Sequence, residues 1–316
     1  MAKFKKVALL MAILVLSISI IGCTSNTKVD DIEDEVSEIP AATSDKIYAV
    51  EDDFGRAVSL ETAPKRIISL TQSNTEIIYA LGLGDTVVGV TSYDDYPEEV
   101  LEVEKIGDFN GIDLERIIEL EPDLVINYGH VNEEENTRLN EAGINYVGFM
   151  PESINEVIDT INKIGKITGA AEEAKVLTDN MVAKRDEILG KIKDAKSKKV
   201  FYEIWHEPLM AAGPGSFMDE LMTMAGGENI AKDADGEYPQ FDLEQLVERN
   251  PEVYLTSENM PEKTTEAIAL RPGYENIDAI INSNIYILNA SIVSRPGPRI
   301  IEALELIAKA IHPEKF

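Results

Sequence analysis

The chain has 316 residues, of which 44% are hydrophobic, and this is enough apolar material for two cores of ordinary domain size. Its formal net charge is −29 at pH 7, because 58 acidic residues outnumber 29 lysines and arginines. Nucleic acid and anionic membrane surfaces repel such a protein, so neither is an expected partner.

The N-terminus has the pattern of an export signal. Three lysines precede an apolar run over residues 7–21, which is too short for a membrane span, and the only cysteine, Cys23, follows Gly22. This arrangement resembles a bacterial lipoprotein-processing motif, in which Cys23 is acylated and becomes the mature N-terminus. We therefore predict a lipoprotein signal peptide over residues 1–22 and an extracytoplasmic protein held at the cell membrane by an N-terminal lipid. An uncleaved signal anchor is the alternative.

An acidic tether is predicted next, over residues 23–45. The stretch from Asp30 to Glu38 contains six acids and no base, so the segment repels itself and cannot bury an apolar core. A hairpin follows, formed by residues 47–50 and 57–60.

Strands and helices alternate through the rest of the chain, which predicts α/β architecture with parallel sheets and helices on both faces. In the first half, strands are predicted over residues 67–70, 87–90, 124–127 and 146–149, and helices over residues 74–81, 113–120, 133–142 and 155–165. In the second half, strands are predicted over residues 199–204, 253–256 and 285–288, and helices over residues 217–225, 242–249 and 299–311.

A long amphipathic helix is predicted between the two halves, over residues 168–198, with Thr168 as its N-cap. The sequences on either side resemble each other: residues 107–126 align without gaps on residues 236–255, sharing an aromatic, Asp-Leu-Glu, a proline and the acid after it. We interpret this as two copies of one unit, with an N-terminal lobe over residues 46–167 and a C-terminal lobe over residues 199–316. An ordinary long surface helix in one domain is the alternative.

Ligands of doubly wound sheets bind beyond the carboxyl ends of the strands. The loops at those positions carry many of the aromatic residues, and flat rings on facing loops suit a large apolar ligand. The candidates are Tyr93, Tyr96, Phe109, Tyr128, Trp205 and Tyr238.

Catalytic motifs are absent from the sequence: it contains no HExxH, CxxC, P-loop or GxSxG pattern, so we expect no enzyme, no cofactor and no metal site. His206 could ligate a metal or contact a ligand, although a structural role at a strand end is the simpler interpretation. Arg295 and Arg299 could meet a phosphate or carboxylate, or pair with acids of the protein.

Four motifs, over residues 64–70, 76–82, 111–117 and 122–126, resemble the substrate-binding proteins of ABC importers for vitamin B12 and ferric siderophores. The resemblance implies two Rossmann-like lobes joined by a single long α-helix, a class III periplasmic-binding-protein-like fold, with the ligand between the lobes. It also implies a monomer that delivers a small molecule to an ABC permease dimer.

Within that family the sequence is most similar to the vitamin B12 binders, which implies a cobalamin-like corrinoid as ligand. Phe109, Tyr128 and Tyr238 match aromatic positions of that group, and Tyr93 or Tyr96 falls where a further tyrosine touches the corrin. Trp205, His206 and Arg295 complete the predicted ligand set. Glutamates that dock against permease arginines in the vitamin B12 binders match Glu115 and Glu244.

Two alternatives remain at this stage. The same architecture could take a ferric siderophore, or haem with a tyrosine or His206 on the iron. Ferric catecholates are trianionic and require clustered Arg or Lys, which the candidate loops up to Tyr238 do not contain. An enzyme or metallochaperone on a similar two-lobed fold is the second alternative, and no catalytic set supports it.

Overall fold

The computed structural model describes residues 48–108, 111–129, 132–258 and 263–316. The predicted signal peptide, the lipidation site Cys23, the acidic tether and Phe109 lie outside these residues, so those calls stay predictions. Within the described ranges, no helix combines the length and the apolar character needed to cross a bilayer.

The first half of the chain folds into a hairpin and a parallel sheet whose strand order is β4-β3-β7-β8. Its strands are Tyr48–Glu51 (β1), Ala57–Leu60 (β2), Ile67–Ser69 (β3), Val87–Gly89 (β4), Gly107–Asp108 (β5), Gly111–Ile112 (β6), Leu124–Tyr128 (β7) and Asn145–Phe149 (β8). Its helices are Gln72–Ala80 (α1), Leu114–Glu119 (α2), Glu133–Glu141 (α3) and Ile154–Thr168 (α4).

The second half begins with a helix, Ala171–Ile192 (α5), and contains a sheet with the order β10-β9-β12-β13, in which β11 also pairs with β9. Its strands are Lys198–His206 (β9), Leu209–Ala211 (β10), Gly227–Asn229 (β11), Val253–Ser257 (β12) and Ile285–Leu288 (β13). Its remaining helices are Phe217–Met224 (α6), Leu243–Arg249 (α7), Thr265–Ala269 (α8), Asp278–Ile281 (α9), Ala290–Val293 (α10) and Ile300–Ile311 (α11).

The predicted alternation of strands and helices is confirmed, and so is the α/β fold class. Each predicted strand and helix outside the long central helix is present with ends shifted by a few residues. The sequence did not predict β10 and β11, which have three residues each. Strand β10 runs antiparallel to β9 and carries a register shift after Met210, so its short apolar run has no period of two to detect.

The sequence repeat reappears as matched hydrogen bonds in the two sheets. The Asp123 carboxylate accepts the backbone N–H groups of Lys65 and Arg66, at 2.7 and 2.9 Å, just before the central strand β3. The aligned acid Glu252 accepts the N–H of Lys199 at 3.0 Å, in the central strand β9. Because both acids tie the following strand to the central one, the conserved spacing of the repeat has one structural cause.

The predicted central helix is wrong at its N-terminal end. Thr168 is the last residue of α4, where its Oγ1 donates to the carbonyl of Ile164 at 2.7 Å, and Ala170 takes the N-cap position of α5. Between them Gly169 has a φ of +85°, the left-handed conformation that ends helices and that glycine adopts at little cost. The amphipathic pattern continued across this break because α4 and α5 are both half-buried.

Helix α5 packs against both halves, as expected of a connecting helix. It has 22 residues, so it spans about 33 Å. Ala174 and Ile188 of α5 belong to one apolar cluster with Ile161 of α4 and Leu304 of α11. The largest core of the described residues therefore runs through this helix rather than stopping at it.

Candidate functional site

A cavity of about 420 Å³ lies between the two halves, beyond the carboxyl ends of their strands. Tyr128 ends β7, Met150 follows β8 and Ser257 ends β12, so the position agrees with the rule for doubly wound sheets. Residues of both halves line it: Tyr128, Met150, Pro151 and Glu152 from the first, and Tyr202, Ile204, Gly215, Phe217, Met218, Glu237, Tyr238, Ser257, Val293, Ser294 and Pro296 from the second.

Two predicted ligand residues, Tyr128 and Tyr238, line this cavity, one from each half. Tyr238 is 51% exposed, whereas Tyr128 is half-buried. Burial raises the pKa of the Tyr128 phenol, and the nearby carboxylate of Glu152 adds to that shift. Burial also raises the pKa of Tyr238, with Glu237 as the next cause.

A third phenol, Tyr202 on β9, forms part of the cavity wall and was not predicted from the sequence. Its burial raises its pKa to about 12. All three phenols are therefore protonated at neutral pH. They offer ring faces and hydroxyl groups to a ligand rather than the ionised oxygen that ferric iron prefers.

Negative charge surrounds the cavity. Glu152 contributes a carboxylate from the first half and Glu237 one from the second, and the described lining contains no lysine or arginine. Glu220 on α6 lies nearby, where its carboxylate accepts the N–H of Ile154 at 3.0 Å and burial raises its pKa. An anionic ligand meets repulsion here that no described neighbour offsets.

Arg295 and Tyr96 were predicted to contact the ligand, and neither is part of the described lining. The Arg295 guanidinium pairs with Glu76 at 3.1 Å and with Asp95 at 2.6 Å. The Tyr96 ring lies 4.0 Å from Cζ of Arg299. The second interpretation of the arginines, pairing with acids of the protein, is the one that the structure shows.

Trp205, His206 and Tyr93 also lie outside the described lining. Side chains alternate along a strand, and because Tyr202 and Ile204 face the cavity, Trp205 faces away from it. Its indole N–H donates to the carbonyl of Glu207 at 3.0 Å. His206 is half-buried, and its Nδ1 has no hydrogen-bond partner among the described residues.

The two predicted docking residues, Glu115 and Glu244, are exposed and occupy equivalent places in the repeat. Each lies in the first turn of a short helix whose N-cap is an aspartate, and the two caps, Asp113 and Asp242, accept backbone N–H groups of that turn. The structure thus presents one glutamate from each half to solvent. Their contact with a permease stays a prediction.

Sequence reasoning missed the apolar lining, including Met150, Phe217, Met218 and Val293. Three of these residues sit in or at the end of helices, where their spacing predicts ordinary core. Met150 alone carried a usable signal, because it directly follows the predicted strand over residues 146–149. In the described part of the chain, no group of three or more His, Cys, Asp or Glu residues could hold a metal ion.

Comparison with known proteins agrees with this architecture. The model of the periplasmic binding protein family matches residues 67–292. The chain is 33% identical over 320 aligned positions to the uncharacterized ABC transporter substrate-binding lipoprotein YvrC of Bacillus subtilis, covering 99% of each protein.

Two solved structures resemble this one. The vitamin B12 binding protein of Vibrio cholerae is 28% identical with a TM-score of 0.68, covering 79% of this chain and 98% of that one. A possible iron-binding protein of Staphylococcus epidermidis is 31% identical with a TM-score of 0.69, covering 79% of this chain and 100% of that one. The chain therefore belongs to the periplasmic binding protein family of ABC-importer substrate-binding proteins, and it is a binding protein rather than an enzyme.

Proposed function

We propose that this protein is a lipid-anchored substrate-binding protein that captures a cobalamin-like corrinoid outside the membrane and delivers it to the permease dimer of an ABC importer. One observation carries the proposal: the cavity between the halves offers a tyrosine ring from each half, Tyr128 and Tyr238, and no basic residue in its described lining.

The charge of the cavity favours a corrinoid over a ferric catecholate. A corrinoid is mostly neutral with one phosphodiester, whereas a ferric catecholate is trianionic and needs clustered Arg or Lys. Glu152 and Glu237 repel a trianion from both sides of the cavity. The flat corrin also has apolar faces that suit the tyrosine rings.

Haem fits the same cavity less well for two reasons. Its propionates are anionic, and its ferric iron requires an ionised tyrosine or a neutral histidine. The raised pKa values of Tyr128 and Tyr238 oppose ionisation of their phenols. His206, the other candidate iron ligand, lies outside the described lining.

Two observations support the lipid anchor. Cys23 stands where a lipoprotein-processing motif requires it. The Bacillus subtilis relative, which matches along nearly its whole length, is named a lipoprotein. A monomer anchored in this way would approach the permease from the outer face of the membrane.

The relatives differ in the ligand that their names give, since one is named for vitamin B12 and another as a possible iron-binding protein. A ferric siderophore or haem is therefore the alternative cargo. The mature lipoprotein, purified in detergent, should be titrated with cyanocobalamin, haem and a ferric catecholate siderophore by calorimetry and absorption spectroscopy. We expect binding of one corrinoid per chain. Tight binding of the siderophore or haem, with no corrinoid binding, would overturn the proposal.

A further inference from the structure

A cluster of buried charges joins the two halves beside the cavity. The Glu76 side chain on α1 is only 2% exposed. It accepts hydrogen bonds from Arg299, whose Nε lies 2.9 Å from Oε2 and whose Nη2 lies 2.6 Å from Oε1, and from Nη1 of Arg295 at 3.1 Å. These three residues are called the Glu76 clamp below.

The clamp is anchored on both sides by further contacts. Asp95 gives Arg295 a second carboxylate at 2.6 Å, and this hydrogen bond lowers the pKa of Asp95. The Arg299 guanidinium stacks on the ring of Tyr96, which belongs to the first half of the chain. Bidentate, charge-assisted pairs of this kind are strong and directional. Removing the one buried carboxylate would leave two arginines without their shared partner.

The arginines of the clamp come from a segment that forms part of the cavity wall. Val293, Ser294 and Pro296 line the cavity, and Arg295 lies between them in the chain. The next residue, Gly297, rests on α1, where a Cβ at Gly297 would lie 3.4 Å from the carbonyl oxygen of Ser73. A wall that belongs to the second half is thus fastened to the first half.

On α6 the halves are joined by a weaker contact. There Glu220 accepts one backbone N–H, that of Ile154, at 3.0 Å, and burial raises the pKa of this carboxyl group. Phe217 and Met218 on α6 and Glu152 before α4 line the cavity near this contact. One hydrogen bond resists separation less than a buried three-residue ionic cluster does.

From this geometry we infer that Glu76, Arg295 and Arg299 are positioning residues for the ligand cavity. The clamp holds the wall over residues 293–296 against the first half, so the halves separate for ligand release at the Glu220 side. Its loss frees that wall and lets a bound ligand leave faster. The ligand used to measure release rests on the proposed function, whereas the fastening of the wall does not.

Release kinetics test the inference directly. The full mature protein, its Glu76→Gln variant and the control Asp95→Asn should be loaded with cyanocobalamin, and dissociation followed by stopped-flow absorption. We expect Glu76→Gln to raise the dissociation rate about tenfold and to change the association rate by less than about twofold, since positioning contacts act mainly on residence time. Asp95→Asn removes only the exposed partner of Arg295 and should change neither rate appreciably. An unchanged dissociation rate in folded Glu76→Gln would overturn the inference.

A second variant and a ligand-free measurement protect the test against misfolding and against a wrong ligand. Arg299→Lys keeps the charge but loses the planar fork, so we expect an intermediate dissociation rate. Hydrogen exchange of ligand-free protein should show lost protection over residues 291–299 in Glu76→Gln and not in Asp95→Asn. Unchanged exchange there refutes the clamp even if corrinoid binds. Absence of corrinoid binding by the unmodified protein refutes the proposed function and leaves the exchange result to judge the clamp.

Discussion

Tyr128 and Tyr238 bring one aromatic ring from each half of the chain to the same cavity. Their value to a flat ligand lies in the ring faces, because burial and nearby carboxylates keep their phenols protonated. Ring burial against a ligand contributes through apolar area and aromatic geometry, and both are lost when the side chain is cut back to Ala. The phenolic oxygen adds little unless it ligates a metal.

We therefore expect Tyr128→Ala and Tyr238→Ala each to weaken corrinoid binding by ~1–3 kcal/mol. In calorimetric titrations this corresponds to a Kd about 5- to 150-fold higher. Tyr238→Phe should bind almost as well as the unmodified protein, whereas a tyrosine that ligated haem iron would not tolerate this change. Trp205→Ala is the matched aromatic control and should leave the Kd unchanged. Equal losses in Trp205→Ala and Tyr238→Ala would place the ligand elsewhere.

At the scale of elements, the junction between α4 and α5 decides how the two halves are connected. Gly169 has a φ of +85°, and a Cβ there would lie 2.8 Å from Cε1 of Tyr48 on the hairpin. A side chain at this position meets both backbone strain and a clash. Gly190, in contrast, lies exposed within α5 with open space around its Cα.

Two Gly→Ala substitutions should therefore have opposite effects on stability. We expect Gly169→Ala to lower the free energy of unfolding by ~1–3 kcal/mol, because it combines strain with a steric conflict. Gly190→Ala should raise that free energy by ~0.5–1 kcal/mol, since alanine loses less backbone entropy in a helix interior. Urea denaturation of both variants measures the difference. Destabilisation by both substitutions would argue against the helix break at Gly169.

At the scale of the whole molecule, the internal repeat places one exposed glutamate on each half. Glu115 and Glu244 follow equivalent capped helix starts. Exposed acids near a helix N-terminus add only a few tenths of a kcal/mol to stability, roughly 0.3–1 kcal/mol at most. Their matched positions suit a dimeric permease, which offers two equivalent contact surfaces.

We expect the double variant Glu115→Ala with Glu244→Ala to retain its corrinoid affinity and melting temperature and to lose most of its stimulation of ATP hydrolysis by the reconstituted importer. The matched control is Glu119→Ala with Glu248→Ala, which removes the same charge one turn further along α2 and α7. The assay should use protein concentrations that do not saturate docking. Full stimulation by the first double variant would refute the docking assignment.

The sequence by itself determined the elements and their order, because helix and strand periodicity, caps and turn residues are local. It also determined the repeat, and Asp123 and Glu252 show that a spacing shared by two segments can report a shared hydrogen-bond pattern. The position of the cavity followed from a rule about parallel strands, so Tyr128 and Tyr238 could be predicted.

Only the tertiary structure decided which side chains face the cavity and which are bound elsewhere. Arg295 turns to Glu76, 219 residues away in the chain, because a buried carboxylate needs a cationic partner more than an open cavity does. Trp205 faces away from the cavity because Tyr202 and Ile204 occupy the other side of β9. The break at Gly169 was hidden because apolar periodicity reports burial, and burial continues from α4 into α5 while the backbone changes direction.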